Sequence, residues 1–532
     1  MTGAPPPAER PWWQDAVLYH VYCRSFADSD GDGVGDLRGI VEHLDHLAWL
    51  GVGGIWLSPT TPSPNADWGY DVADHRGVDP ALGSPDDLDE LVERAGRLGI
   101  RVLLDLVPNH TSDRHPWFLD ARSSRSSAHR DWYVWADPGP GGAPPNNWLS
   151  FTGGPAWSLD PATGQLYLHN FLDAQPDLDW WNPEVRSAFE DILRHWFDRG
   201  IAGFRIDTAN RLLKDRLLRD NPPANGDLHE QVTGMPQEQR YNANRPEVHE
   251  VLRGWRRLAD GRTPPGLLIG ETFVFDLGKM ASYHGAGDEL HLTLNLPFLF
   301  APLRAGALRE VVERTEAALP PGAWPLWLGS NHDVPRLATR WCRGDPARVR
   351  CALLMLLTLR GTPLLYYGDE IGMGDTPIPA TRVRDPLGRR GAERPGRDGA
   401  RTPMRWHAGP GAGFTPGGVE PWLPLGTEPG VDVAGQRDDR GSVLRLCRDA
   451  IRLRAAEPDL RDGAWRVLPS PPEVLAFRRG DSVTVVLNLD GRPATVPGVE
   501  GTVLLGTDRS RDGAGVRDGL ELRGWEGTVI RG

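Results

Sequence analysis

Gly203-Phe204-Arg205-Ile206-Asp207-Thr208-Ala209-Asn210 ends a short apolar run, residues 200–206, that follows directly on an amphipathic helix expected over 184–198. A helix running straight into an apolar strand is half of a βαβ unit, and the pairing recurs along the chain. Eight strands are expected, at 17–26, 51–57, 100–107, 201–207, 266–270, 290–296, 324–329 and 362–367. Eight such units predict an α/β fold, a closed (β/α)8 TIM barrel. Residues two apart on a strand share a face, so Arg205 and Asp207 occupy one environment, and the fixed cation is expected to hold that carboxylate ionised. Taken alone, such a pair is more often a buried structural ion pair. Its neighbours decide otherwise.

Two more acids stand at strand ends: Glu271 after the fifth strand, and Asp333, in Ser330-Asn331-His332-Asp333, after the seventh. Active-site groups of a (β/α)8 barrel come from the carboxyl ends of its strands, so Asp207, Glu271 and Asp333 are expected at one mouth. Like charges gathered there repel, and at least one pKa must rise to supply a general acid. Two carboxyls flanking a glycosidic bond suffice for hydrolysis with retention. The assignment is Asp207 as nucleophile, Glu271 as acid/base and Asp333 as a sugar-binding group that favours the oxocarbenium-like transition state.

The rhythm breaks after the third strand. Residues 109–175 are rich in Gly, Pro, Trp and Asn, too long for a structureless loop, and are read as an inserted subdomain. Long loops at 209–245 and 372–440 leave the same face, and walls of that kind favour short substrates. Past a last barrel helix at 443–455, segments at 465–467, 474–478, 482–489 and 502–505 read as a C-terminal antiparallel β domain. The expected division is barrel 1–108, inserted subdomain B 109–177, barrel 178–461 and β domain 462–532. Near the start, Asp28, Asp30, Asp32 and Asp36 alternate with glycines, a pattern that curls the backbone around a hard cation, Ca²⁺ before Mg²⁺. An EF-hand is excluded, because its twelfth position would be Gly39 and a strand precedes the loop.

Composition narrows the partners. A net charge of −13 without a Lys/Arg block argues against nucleic acid and favours neutral substrates. No run approaches the roughly 18 apolar residues of a membrane span, the start does not resemble a signal peptide, and the four cysteines (Cys23, Cys342, Cys351, Cys447) read as free thiols. A cytoplasmic enzyme, monomer or homodimer, is expected.

The chain resembles the α-amylase superfamily of glycoside hydrolases, within it the α-glucosidase and oligo-1,6-glucosidase group. The resemblance is carried by Asp105-Leu106-Val107-Pro108-Asn109-His110, Gly203-Phe204-Arg205-Ile206-Asp207, Glu271, Asn331-His332-Asp333, Gln175-Pro176-Asp177-Leu178, the opening from Trp12 to Gly39 and Arg401-Thr402-Pro403-Met404. It implies a retaining mechanism, sugar contacts from Tyr70, Asp71, His110, Arg205 and His332, and closure of the pocket on a non-reducing glucose by Asp71 with Arg397. It places the metal on Asp28, Asp30, Asp32, the Val34 carbonyl and Asp36. In similar enzymes threonine after the nucleophile accompanies α-1,4 activity and valine α-1,6, so Thr208 points to an exo-acting α-1,4-glucosidase for maltose-like or sucrose-like substrates. Alternatives are an α-1,6 enzyme, a glucosyl transferase or isomerase on the same fold, and a non-catalytic scaffold, the last opposed by the three acids. Departures from the group's pattern are Cys23, Asp179 and Arg405.

Overall fold

The computed structural model describes residues 10–389 and 396–532. Eight parallel strands form the central sheet: β1 Leu18–Val21, β2 Gly54–Leu57, β3 Arg101–Leu106, β7 Gly203–Ile206, β8 Leu267–Gly270, β9 Leu292–Thr293, β10 Leu326–Leu328 and β11 Thr362–Tyr366. They run in the order β10-β11-β1-β2-β3-β7-β8-β9, and a parallel bridge from Leu294 to Leu326 closes the ring. Each strand lies within a segment expected from the sequence. Shorter strands are the rule because only their central residues pair; the flanking residues already turn into the rim. The register sets Asp105 beside Arg205, and Arg205 beside Ile269, so the charged ends of β3, β7 and β8 emerge together. Packing is tight at Gly203, where a Cβ would lie 2.2 Å from the Leu267 carbonyl oxygen. Only glycine permits that approach.

The barrel interior is filled by Leu18, Trp56, Leu103, Ile269, Leu292, Leu328 and Leu364. Helix Pro85–Arg97 starts with a reciprocal cap: Asp87 N donates to Ser84 Oγ at 3.2 Å, and Ser84 N donates to Asp87 Oδ2 at 2.8 Å. Residues 37–50 form two helices, Leu37–Glu42 and Leu44–Leu50, broken at His43. There the ring bonds Gly39 O at 2.8 Å and lies 3.8 Å from Trp406, a contact from the far end of the chain. Tertiary packing overrides the local period.

Between β3 and β7 three short strands, β4 Trp135–Ala136, β5 Trp157–Asp160 and β6 Gln165–Leu168, form an antiparallel sheet in the order β4-β6-β5. The C-terminal region holds eight strands rather than four: β12 Trp465–Val467, β13 Val474–Arg479, β14 Val483–Asn488, β15 Ala494–Val496, β16 Gly501–Gly506, β17 Gly515–Val516, β18 Leu520–Leu522 and β19 Gly527–Arg531. Of the four unforeseen ones, β15, β17 and β18 have two or three residues, too few to display a period, while the five-residue β19 was passed over. One buried arginine of this domain ties it to the barrel: Arg479 donates to the carbonyls of Thr358 and Leu460. Arg454, on the last barrel helix, donates to the carbonyls of Leu357 and Leu359, satisfying the end of the apolar helix Pro346–Thr358.

Candidate active site

Arg205 is fully buried inside the rim. Its Nη1 donates to Asp105 Oδ1 at 2.9 Å and to Asp207 Oδ1 at 2.8 Å, while Nη2 bonds Glu271 Oε2. The guanidinium lies 5.0 Å from the Trp56 ring, and Trp56 Nε1 donates to Asp105 Oδ2 at 3.2 Å. One cation therefore serves three carboxylates. It does not depress Asp207, as the two-residue spacing led us to expect. Burial comes first and, with the charges of Asp105 and Asp333, raises Asp207 to about 6 against the pull of Arg205. Glu271 rises further, to about 8, through burial and the neighbouring charges of Asp207 and Asp333. A hydrogen bond between the two carboxyls divides them, raising Glu271 and lowering Asp207, so the shared proton resides on Glu271. Both carboxyls are thus bonded to the two terminal nitrogens of one guanidinium.

Asp333 faces them from the loop after β10. Burial works against its charge, but His332, Arg397 and Arg401 outweigh it and hold the carboxyl far below the usual range. Arg397 Nη1 donates to its Oδ1 at 3.0 Å and Arg401 Nη2 at 3.2 Å. His332 is buried, stacked on Tyr70 with ring centroids 5.3 Å apart, and burial keeps it neutral. The Tyr70 hydroxyl donates to Asp105 Oδ2 at 3.0 Å, so His332 Nε2–H is the group shared between the Tyr70 oxygen at 2.7 Å and Asp333 Oδ2 at 3.2 Å. His110 is buried behind Tyr70, its Nε2 donating to Tyr70 O at 3.0 Å. Thr208 holds a left-handed backbone, φ 41°, and its hydroxyl donates to Asp207 Oδ2 at 3.2 Å. A β-branched residue at positive φ is strained, and here the strain sits beside the proposed nucleophile.

Asp71 does not meet Arg397. Its carboxylate is fully buried and turned inward, accepting from Ser63 Oγ at 2.7 Å, Asp67 N at 2.9 Å and Ala66 N at 2.8 Å. It shapes the turn; Asp67, four residues earlier, is the partner, receiving Arg397 Nη2 at 2.7 Å. Asp71 alone was expected in this role; Asp67 also flanks Trp68-Gly69-Tyr70, and nothing local in the sequence distinguishes the inward one. Sequence reasoning also gave no role to Asp105, Arg401 or Asp385, which together fix Arg205, Asp333 and Arg397.

A cavity of about 650 Å³ is lined by His229, Gln239, Phe273, Phe275 and Tyr283 among others. A run of rings leads from His110 towards it: Phe171 at 5.2 Å, then Phe151 at 5.9 Å and Phe273 at 5.4 Å.

Residues 20–463 match the family described as alpha amylase, catalytic domain. The chain belongs to the alpha-amylase family. Among its relatives is a probable alpha-glucosidase of Rhizobium meliloti (strain 1021), 42% identical over 506 residues, covering 92% of this chain and 91% of that protein. An oligo-1,6-glucosidase of Heyndrickxia coagulans is 34% identical, covering 90% and 92%. The crystal structure of an alpha-glucosyl transfer enzyme superposes with a TM-score of 0.91 at 40% identity, covering 98% of this chain and all of that one. As a member of this family the protein is a glycoside hydrolase of glucosidase type.

Away from the mouth, oxygens of Asp28, Asp30 and Asp36 lie within 4.8 Å of one another; Asp32 is not part of that group and accepts Val34 N at 2.7 Å. An all-oxygen donor set on a tight loop fits a hard divalent cation. Among the described residues no helix is long and apolar enough to cross a membrane.

Proposed function

We propose that the protein is an exo-acting, retaining α-glucosidase that removes glucose from the non-reducing end of short α-1,4-linked oligosaccharides, with sucrose as a further substrate. The observation that carries this reading is Arg205 holding Asp207 and Glu271 on adjacent nitrogens while the proton rests on Glu271. In the first step Glu271 protonates the glycosidic oxygen as Asp207 attacks the anomeric carbon; the leaving sugar departs and glucose is bound to Asp207. Glu271, now ionised, takes a proton from water, which attacks the same carbon and releases α-glucose and the free Asp207 carboxylate. Asp333, kept anionic by Arg397 and Arg401, stabilises the positive charge that develops on the ring in both steps. Tyr70 and His332 form one face of the sugar pocket, His110 braces Tyr70, and the Asp67–Arg397 pair closes the end beyond the glucose.

Transfer to a sugar acceptor is a second reading, favoured by likeness to an alpha-glucosyl transfer enzyme. A sugar hydroxyl would then replace water in the second step. Thr208 supports the α-1,4 preference, because its hydroxyl and left-handed backbone stand beside the attacking oxygen. For the acidic loop we propose bound Ca²⁺, or Mg²⁺, held by Asp28, Asp30 and Asp36 with the Val34 carbonyl, as a stabilising ion with no part in the chemistry.

The test is initial glucose release from maltose, isomaltose, sucrose and trehalose in parallel, with chromatography of all products. Maltose or sucrose should dominate. Preference for isomaltose would overturn the linkage reading, and products larger than the input at high substrate would move the balance from hydrolysis to transfer.

A further inference from the structure

Asp385 lies in the loop after β11, outside every motif quoted above, and is fully buried. Its carboxylate takes the Nε–Nη2 edge of Arg397, accepting from Nε at 3.1 Å and from Nη2 at 2.8 Å, and also accepts the Arg397 backbone N–H at 2.6 Å. The guanidinium has five donors in a rigid plane. With that edge occupied, the second hydrogen of Nη2 is left for Asp67 and those of Nη1 for Asp333, and both bonds are made, at 2.7 and 3.0 Å. Three carboxylates from loops after β2, β10 and β11 thus meet on one cation. The loop carrying Asp385 is itself fixed: Asp398 Oδ2 accepts the N–H groups of Asp385 at 2.9 Å and Arg384 at 2.6 Å. Trp68 Nε1, next to Asp67, donates to Arg384 O at 3.1 Å. A Cβ on Gly396 would stand 3.3 Å from Asp385 Oδ2 and 3.0 Å from Gly388 Cα, so the contact leaves no slack.

We propose that Asp385 is a positioning residue: by gripping one edge of Arg397 it sets the guanidinium so that Asp67 and Asp333 are held together, limiting the pocket to one glucose unit and orienting Asp333 towards the reacting ring. Without it, Arg397 is a long flexible side chain with two carboxylate partners on different loops and no fixed plane. A misplacement of about 1 Å in such a group costs on the order of 100-fold in rate. This inference rests on the reading of the site as an α-glucosidase.

The experiment measures kcat and KM on maltose, and the product pattern from reducing-end-labelled maltoheptaose, for wild type, Arg397→Ala, Asp385→Asn, Asp385→Glu and each Asp385 change combined with Arg397→Ala, with thermal unfolding of every protein. Asp385→Asn should lower kcat/KM about 100-fold and give internal cleavage products where wild type removes single glucose units. In the Arg397→Ala background the same change should alter kcat/KM less than about twofold, because the residue acts through Arg397. Asp385→Glu keeps the charge and the fold but shifts the grip, and should reproduce much of the loss if Asp385→Asn does not fold. An unchanged kcat/KM in folded Asp385→Asn and Asp385→Glu, or an equal loss with and without Arg397, would overturn the proposal while leaving the α-glucosidase reading intact. Wild type inert on every glucoside would overturn that reading, and this inference with it.

Discussion

Two groups of acids are gathered in this molecule and are held in opposite ways. At the barrel mouth Asp105, Asp207 and Glu271 are buried around one guanidinium, and burial together with mutual repulsion pushes their carboxyls upward. In the loop at 28–36 the acids lie on backbone donors: Gly31 N and Gly33 N reach Asp28 at 2.7 and 2.9 Å, and Ser29 N and Gly39 N each reach Asp36 at 2.7 Å. Gly33, at φ 90°, would drive a Cβ to 2.4 Å from the Glu420 carbonyl oxygen, so the loop is locked in its curl. At the mouth burial and mutual repulsion raise the carboxyls, whereas in the loop backbone N–H groups hold the acid side chains in place. The first arrangement suits bond making, the second a resident cation.

The comparison breaks most visibly at Asp207. Asp207→Asn should lower kcat/KM by on the order of 10⁴-fold or more, read as glucose release, because no other described carboxylate at the mouth can attack from that position. Glu271→Gln should lose about 10²- to 10⁴-fold on maltose. With an activated aryl glucoside, whose leaving group needs no proton, the first step should be largely spared. The pH dependence of kcat/KM should then be bell-shaped. Activity falls below about 6, where Asp207 gains a proton, and above about 8, where Glu271 loses its own. Thr208→Val should shift the ratio of isomaltose to maltose turnover upward by about tenfold, since one exchanged group at the leaving sugar is worth about 1–3 kcal/mol. The surface loop should answer most weakly. A chelator, or Asp28→Ala, should lower the unfolding midpoint by on the order of a few degrees with kcat on maltose unchanged.

The contrast also explains what could be read from the chain. The eight barrel strands were legible because each is an apolar run followed by a periodic helix, and Asp207, Glu271 and Asp333 were legible because each ends such a run. What lay beyond reach depended on distance in sequence. Asp67 and Arg397 stand on loops 330 residues apart, and Asp71 carries the same side chain four residues away with its oxygens turned to a local turn. The upward shift of Asp207 was hidden for a related reason: the pair Arg205 and Asp207 is local, whereas Asp105 and Glu271, which share the cation, arrive from other strands. The break at His43 answers to Trp406, and the short C-terminal strands exist only through their partners.

The central claim is that Asp207 and Glu271 act as a close, proton-sharing pair that works by double displacement. Proton NMR of the first glucose released from an aryl α-glucoside, recorded before mutarotation, tests it most directly. The account predicts the α anomer, appearing before any β signal and equilibrating afterwards. A first product in the β form would mean direct attack by water across a wider gap and would contradict it.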